Sequence, residues 1–239
     1  MKALKNLILI PLLFFFFVEI ACSENQKKLP PSSHSAKKEE KMRIKLPEPK
    51  YESNVSLEVS LKNRRSIREY SDKPLRLEDV SQLLWSAQGI TNPWGERTAP
   101  SAGALYPLEV YVIAGNIADL ADGIYHYDPK KHDLIMMSEE DVQPQLASAA
   151  LGQSPVNNGA IDLVLTAVYE RTTQKYGDRG LQYVHMEAGH AAQNVCLQAT
   201  ALGLGAVTVG AFYVDRVSTI LNLPKDEIPL YIIPVGKLR

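Results

Sequence analysis

The spacing of apolar and polar residues changes several times along the chain, and each change predicts an element. Leu57 to Asn63 reads as a short helix. Val80, Leu83, Leu84 and Ala87 recur at i, i+3, i+4 and i+7, which places one apolar stripe on a helix from Leu77 to Gln88 that Gly89 stops. Ser101 to about Leu105 opens a short helix behind Pro100, and Leu108 to Ala114 is a strand. Ile124 to Tyr127 and Leu134 to Met137 flank the turn signal Asp128-Pro129 and predict two more strands. Ser138 is expected to cap a helix running to about Leu151, followed by a buried strand from Ile161 to Tyr169. Gly180 to Leu202 is the longest helix, rich in Ala and apolar on most sides, which marks it as central. Ala206 to Gly210, Asp215 to Leu221 and Leu230 to Val235 read as strand, helix and strand. Mixed order of this kind predicts an α+β fold, and the chain contains no internal repeat.

The amino terminus has a different pattern. Lys2 and Lys5 precede an apolar run from Leu7 to Val18, and Ile20-Ala21-Cys22-Ser23 follows. This order is that of an export signal, and the run is too short for a comfortable membrane span. Cys22 stands where a lipoprotein is cleaved and acylated, although Glu19 occupies a position usually held by Leu. An ordinary signal with an incidental cysteine is the other reading. Residues 1–22 are therefore expected to be a signal peptide, and the predicted location is the periplasm or cell envelope, with a lipid anchor at Cys22. Residues 23–54 carry almost no large apolar side chains and are expected to form a disordered tether. Residues 55–239 make one domain.

Composition removes several functions. The chain of 239 residues has 26 Lys and Arg against 27 Asp and Glu, a formal net charge of -1. That balance gives no support for nucleic-acid binding. Two cysteines, Cys22 and Cys196, make neither a disulfide framework nor a zinc site, and Cys196 reads as a small buried hydrophobe. His185 and His190 invite a metal reading, but their i, i+5 spacing sets the rings about 140° apart on a helix. No metal is expected. Glu187, His190 and Asn194 share a face, which predicts a hydrogen-bonded helix interface. Trp85 and Trp94 read first as core and loop packing.

Four segments carry candidate chemistry. Arg64-Arg65-Ser66-Ile67-Arg68 puts three guanidiniums and a hydroxyl within five residues, a set suited to a phosphate dianion. Alone it reads more readily as a solvated basic run. Thr98 to Glu109 contains Pro100-Ser101-Ala102-Gly103, small residues that let backbone approach a flat ligand. Gly203 to Phe212 ends in another small-residue corner. Arg171 to Gly180 is a polar loop in which Lys175 and Tyr176 stand side by side and suit an acid–base pair. Both side-chain types have unperturbed pKa values of about 10, so a site using them must lower one. Taken singly, each of these segments has an ordinary structural explanation.

Their order is what makes them recognisable. Arg-Arg-Ser-x-Arg, Pro-Ser-Ala-Gly-Ala-Leu-Tyr-Pro-Leu-Glu, Lys-Tyr-Gly, Gly-His-x-x-Gln-Asn, Gly-Leu-Gly and Pro-Val-Gly-Lys together resemble the nitroreductase superfamily. Within it the chain is similar to the SagB-type dehydrogenases, which include thiazoline and oxazoline oxidases. The resemblance runs from about Leu57 to the carboxyl end. It implies a nitroreductase-like FMN fold with a central mixed or antiparallel sheet surrounded by helices. It also implies a homodimer with the long central helix and FMN at the subunit interface. By position, Arg64, Arg65, Ser66 and Arg68 hold phosphate and ribityl chain, with Lys237 and Arg239 completing the phosphate site. Pro100, Ser101, Ala102 and Gly103 come from the partner subunit. Gln153 meets the pyrimidine edge of the flavin, and Gly210 and Ala211 set backbone N–H groups near N5. Lys175 and Tyr176 match the pair that assists azoline oxidation. The chain ends at Arg239, where many relatives continue.

The expected activity is FMN-dependent oxidoreduction by hydride transfer at flavin N5, on a small organic or peptide azoline-like substrate. The alternatives are an NAD(P)H-dependent nitro or quinone reductase and a non-catalytic, membrane-tethered flavin-binding protein.

Overall fold

The computed structural model describes residues 41–239; the expected export signal, Cys22 and the expected tether up to residue 40 lie outside them. A seven-stranded antiparallel sheet forms the centre, in the order β1-β4-β3-β2-β5-β7-β6. These strands are β1 (Arg43–Lys45), β2 (Leu108–Ala114), β3 (Gly123–Asp128), β4 (Asp133–Ser138), β5 (Ile161–Val168), β6 (Leu204–Ala206) and β7 (Glu227–Lys237). The middle strands β2 and β5 are apolar along nearly their whole length because helices cover both faces of the sheet.

The helices are α1 (Leu57–Asn63), α2 (Leu77–Gln88), α3 (Gln143–Ala149), α4 (Ser154–Asn158), α5 (Glu170–Tyr176), α6 (Arg179–Ala201) and α7 (Val214–Ile220). One core cluster joins the stripe of α2 (Val80, Leu83, Leu84, Ala87) to Val184, Ala188, Ala191 and Val195 of α6 and to one sheet face. Alanines on α6 let α2 and the sheet approach it closely. A second cluster packs Leu146 of α3 and Val217 of α7 on the opposite face.

Four sequence expectations need correction. The predicted tether overlaps the folded body: β1 pairs with β4, Leu46 is 2% exposed, and Ser81 Oγ donates to Pro47 O over 2.5 Å. A segment with few large apolar residues is held here by strand pairing and polar contacts, with Leu46 and Pro49 as buried anchors. Ser138 ends β4 instead of capping a helix, and α3 starts five residues later. The polar loop around Lys175 is helix α5. The strand expected at Ala206 to Gly210 is β6, ending at Ala206, after which the chain keeps looser contact with β7, through Val207 N donating to Pro234 O and the Val209–Ile232 bridge.

Candidate active site

The segment after α1 lies against the sheet through two glycines. A Cβ at Gly205 would meet Ile67 Cγ2 at 2.6 Å, and one at Gly236 would meet Tyr70 Cγ at 2.6 Å. Ile67 N donates to Ala206 O over 3.0 Å, and Ser66 bridges Ala206 in parallel. The Tyr70 hydroxyl lies 2.9 Å from Ile67 O and 3.2 Å from Pro234 O. Pinned in this way, the segment presents Arg65, Ser66 and Arg68 to solvent and leaves Arg64 half-buried. The Arg65 guanidinium donates to the Lys62 and Arg64 carbonyls. Among the described residues, Arg64, Arg65 and Arg68 form no ion pair, whereas Arg43, Arg76, Arg171 and Arg239 each do. Three guanidiniums without a carboxylate are a ready site for a dianion.

Lys237 and Arg239 are engaged differently. Lys237 Nζ lies 2.9 Å from the carboxylate of Asp79, and Arg239 pairs with Glu69 at 3.1 Å. Asp79 is 2% exposed and also holds Arg76 at 2.9 Å. Burial acts to raise its pKa, but hydrogen bonds from Arg76 and Lys237 outweigh burial and hold it below the usual carboxylate range. Lys237 is tied by its backbone to Ser71, three residues beyond Arg68, and its charge is already shared with Asp79.

Gln153 and Ala211 are brought together. Gln153 Nε2 donates to the Ala211 and Ala150 carbonyls, both over 2.9 Å. Gly210 and Ala211 are exposed, and a Cβ at Gly210 would have Tyr231 as its nearest neighbour, at 3.6 Å.

A second corner contains Gly103, Lys175 and Tyr176. A Cβ at Gly103 would lie 2.8 Å from the Tyr176 hydroxyl and 3.0 Å from Lys175 Nζ. Two segments more than seventy positions apart therefore meet in one protomer. The backbone of the 3-10 turn Ala102–Ala104 is left-handed at Gly103 (φ 64°), at Ala104 (φ 53°) and again at Tyr106 (φ 46°). Non-glycine residues in this region store strain, which the surroundings must hold. Ser101 Oγ helps by accepting from Tyr106 N over 2.9 Å, and Arg97 N donates to Tyr106 Oη over 3.2 Å. Lys175 Nζ lies 5.4 Å from the centre of the Tyr176 ring, which packs edge-on to Tyr183 at 5.2 Å.

Below this corner lies Glu187 of α6, 2% exposed, with Oε1 buried and without a hydrogen-bond partner. Burial raises its pKa to about 7, against the lowering effects of the Ser101 hydroxyl and the Arg97 charge. Asn194 donates to Thr98 O, so one member of the predicted polar face does hydrogen-bond α6 to this loop; His190 is exposed and takes no part. The His185 ring meets Tyr169 Oη at 3.0 Å.

The two corners touch α6 at different heights. Ser101 acts on Glu187, while Arg64 acts on the Cys196 thiol, which burial pushes up. Nine helical positions separate the two, about 14 Å along the axis. A groove of about 610 Å³ between α3 and α7 is lined by none of the predicted site residues. The predicted residues lie instead on open surfaces of the protomer.

The sequence reading missed Ile67 and Tyr70 as anchors of the arginine segment, Asp79 as the partner of Lys237, and Arg171 and Glu109 as links to α5. Glu109, Arg171 and Ile67 lie inside segments that the sequence singled out, but without a pattern that gives these roles; Tyr70 and Asp79 carried no signal.

An antiparallel sheet wrapped by helices, an unneutralised arginine segment and a strained small-residue turn beside a Lys-Tyr pair define a flavin-type oxidoreductase scaffold. The chain belongs to the nitroreductase family, whose model matches residues 61–237. A nitroreductase-family protein of Methanocaldococcus jannaschii is 47% identical over 196 residues, covering 82% of this chain and 96% of that one. A solved nitroreductase structure from Ralstonia eutropha matches with a TM-score of 0.72 and 30% identity, covering 82% of this chain and 90% of that chain. The Escherichia coli microcin synthetase McbBCD complex, solved with truncated pro-MccB17 bound, matches with a TM-score of 0.64 and 27% identity over 88% of this chain and 83% of that chain. The protein is accordingly a flavin-dependent oxidoreductase of this family.

Proposed function

We propose that the protein is an FMN-dependent dehydrogenase of azoline-like rings in small molecules or peptides, working as a homodimer. The observation that carries this reading is the contact of the Gly103 turn with Lys175 Nζ and Tyr176 Oη. The residues present fit the cofactor. Arg64, Arg65 and Arg68 offer unneutralised charge for its phosphate, with Ser66 beside them, and Lys237 adds a charge positioned by Asp79. Gln153, Gly210 and Ala211 provide an exposed amide and backbone for the ring system. Bound flavin supplies the two-electron acceptor for a hydride.

Lys175 and Tyr176 take the proton that leaves the substrate ring as the hydride departs, so each turnover removes two electrons and one proton beyond the hydride's own nucleus. A second acceptor must then reoxidise the flavin. The Lys-Tyr pair travels with the Pro100–Gly103 turn. If that turn comes from the partner, so do Lys175 and Tyr176, and each site joins the arginine segment of one protomer to the proton-handling pair of the other. In the same reading the amino-terminal signal and Cys22 place the protein in the cell envelope. The mass of the mature amino terminus tests that part.

The central test is purification, absorbance and release of the cofactor, followed by turnover of a synthetic thiazoline-4-carboxamide with oxygen as acceptor. The reading expects a yellow protein with FMN and a loss of turnover, with flavin retained, in Lys175→Ala and Tyr176→Phe. Mixing Arg64→Ala with Lys175→Ala subunits should restore part of the activity that each lacks alone. A colourless protein that binds no added FMN, or variants that turn over at wild-type rates, would sink it. A second reading, reduction of nitro or quinone compounds at the expense of NAD(P)H, draws on the similarity to a nitroreductase-family protein. It predicts that flavin bleaching by NADH or NADPH is fast and indifferent to Tyr176→Phe.

A further inference from the structure

We propose that Arg171 is the positioning residue that clamps the Lys175–Tyr176 helix against the Gly103 turn. This rests on the roles given to Lys175 and Tyr176 above. Helix α5 has seven residues and no side-chain cap at its amino end, so it cannot hold its own place. One side of it rests on Gly180, where a Cβ would come within 2.9 Å of Thr173 Cα. The other side is tied by a single guanidinium. Arg171 Nη2 lies 2.6 Å from Glu109 Oε1 on β2, and its Nη1 donates to Tyr106 O over 3.1 Å. Tyr106 is the last left-handed residue of the strained turn.

Arg171 therefore joins three pieces: the helix that carries the Lys-Tyr pair, the central sheet, and the turn that the pair must meet. Glu109 is itself held, because its Oε2 lies 2.9 Å from His126 Nε2 on β3. Arg171 and Lys175 are four residues apart on α5 and share a face, so a rotation released at one is passed to the other. The forked shape matters here. An ammonium is a point charge and does not span a carboxylate and a carbonyl on separate elements with fixed geometry. The ion pair is partly open to solvent, so its importance lies in placement and not in stability.

The test uses FMN-loaded protein and three readouts: turnover of the synthetic thiazoline, FMN affinity by fluorescence titration, and hydrogen exchange of the α5 amides. Arg171→Gln should lower kcat roughly 10- to 100-fold while FMN affinity and KM stay within about two-fold. Exchange in α5 should accelerate, and Arg171→Lys should recover only part of kcat. Added to a Lys175→Ala, Tyr176→Phe background, Arg171→Gln should cost nothing further, because residues acting as one unit are not additive. Wild-type kcat in Arg171→Gln, or a loss that persists undiminished in that background, overturns the proposal. Should Arg171→Gln not fold, Glu109→Gln decides by the same criteria. If Lys175→Ala and Tyr176→Phe prove fully active, the proposed function fails instead, and unchanged α5 exchange in Arg171→Gln then overturns the clamp on its own.

Discussion

Gly103 and Tyr176 approach so closely that a Cβ on the glycine would stand 2.8 Å from the phenol oxygen and would have to push that side chain aside. The same glycine holds φ 64°, which an alanine adopts only under strain. Gly103→Ala is therefore expected to destabilise the fold by roughly 1–3 kcal/mol and to displace the Lys-Tyr pair. Thermal unfolding measures the first effect and thiazoline turnover the second. A variant with wild-type values for both would show that the contact is slack.

Glu187 makes stability depend on pH. Its carboxyl, raised to about 7 in the fold, titrates from an ordinary value of 4.5 in the unfolded chain. The raised value means that the fold prefers the protonated form. The contribution is thus fully present below about pH 4.5 and is lost as pH rises towards 7. Glu187→Gln keeps the neutral shape and removes the titration. It should be more stable than wild type at pH 8, by about 2 kcal/mol, and similar at pH 4. Urea unfolding at the two pH values checks this, and an equal difference at both would contradict it.

Asp79 has the opposite sign. Its pKa is depressed by Arg76 and Lys237, so its stabilisation is present above the unfolded carboxylate value and is lost as pH falls through the lower folded one. Asp79→Asn should remove that acid-side slope at a cost of roughly 2 kcal/mol at neutral pH. If Lys237 serves the phosphate, the same variant should also weaken FMN binding, as fluorescence titration would reveal.

The folded body begins earlier than residue 55. A chain starting at Lys41 should unfold with the midpoint of the longer protein. One starting at Val55 loses β1, the buried Leu46 and the polar contacts of Pro47 and Lys50 with α2, and its midpoint should fall by several degrees. Identical midpoints would mean that β1 adds nothing.

Much of this architecture was legible in the residues. The apolar stripe of α2 and its Gly89 stop agree with the structure to the residue, as do α1 and β2. Local periodicity decides these elements, and the core then confirms it. β1 was not legible, because its pairing with β4 is set by residues about ninety positions away. The helix around Lys175 was missed for a related reason: its sequence is polar, and Arg171 and Gly180 hold it by tertiary contacts. In the site, the motifs named the groups that carry charge and chemistry. They did not reveal what those groups lean on. Tyr70 against Gly236, Asp79 under Lys237 and Glu187 below Ser101 are matters of packing between distant segments, for which one sequence offers no pattern.

The placement of β1 also bears on how copies of the protein meet. It is the outermost strand on its side of the sheet and has only three residues. So short a strand makes that border a poor template for another chain's backbone. On the opposite side β6 is only three residues long. Both borders of the sheet thus discourage edge-to-edge stacking, and self-association is steered towards helical surfaces, where it can assemble something without ending in a fibre.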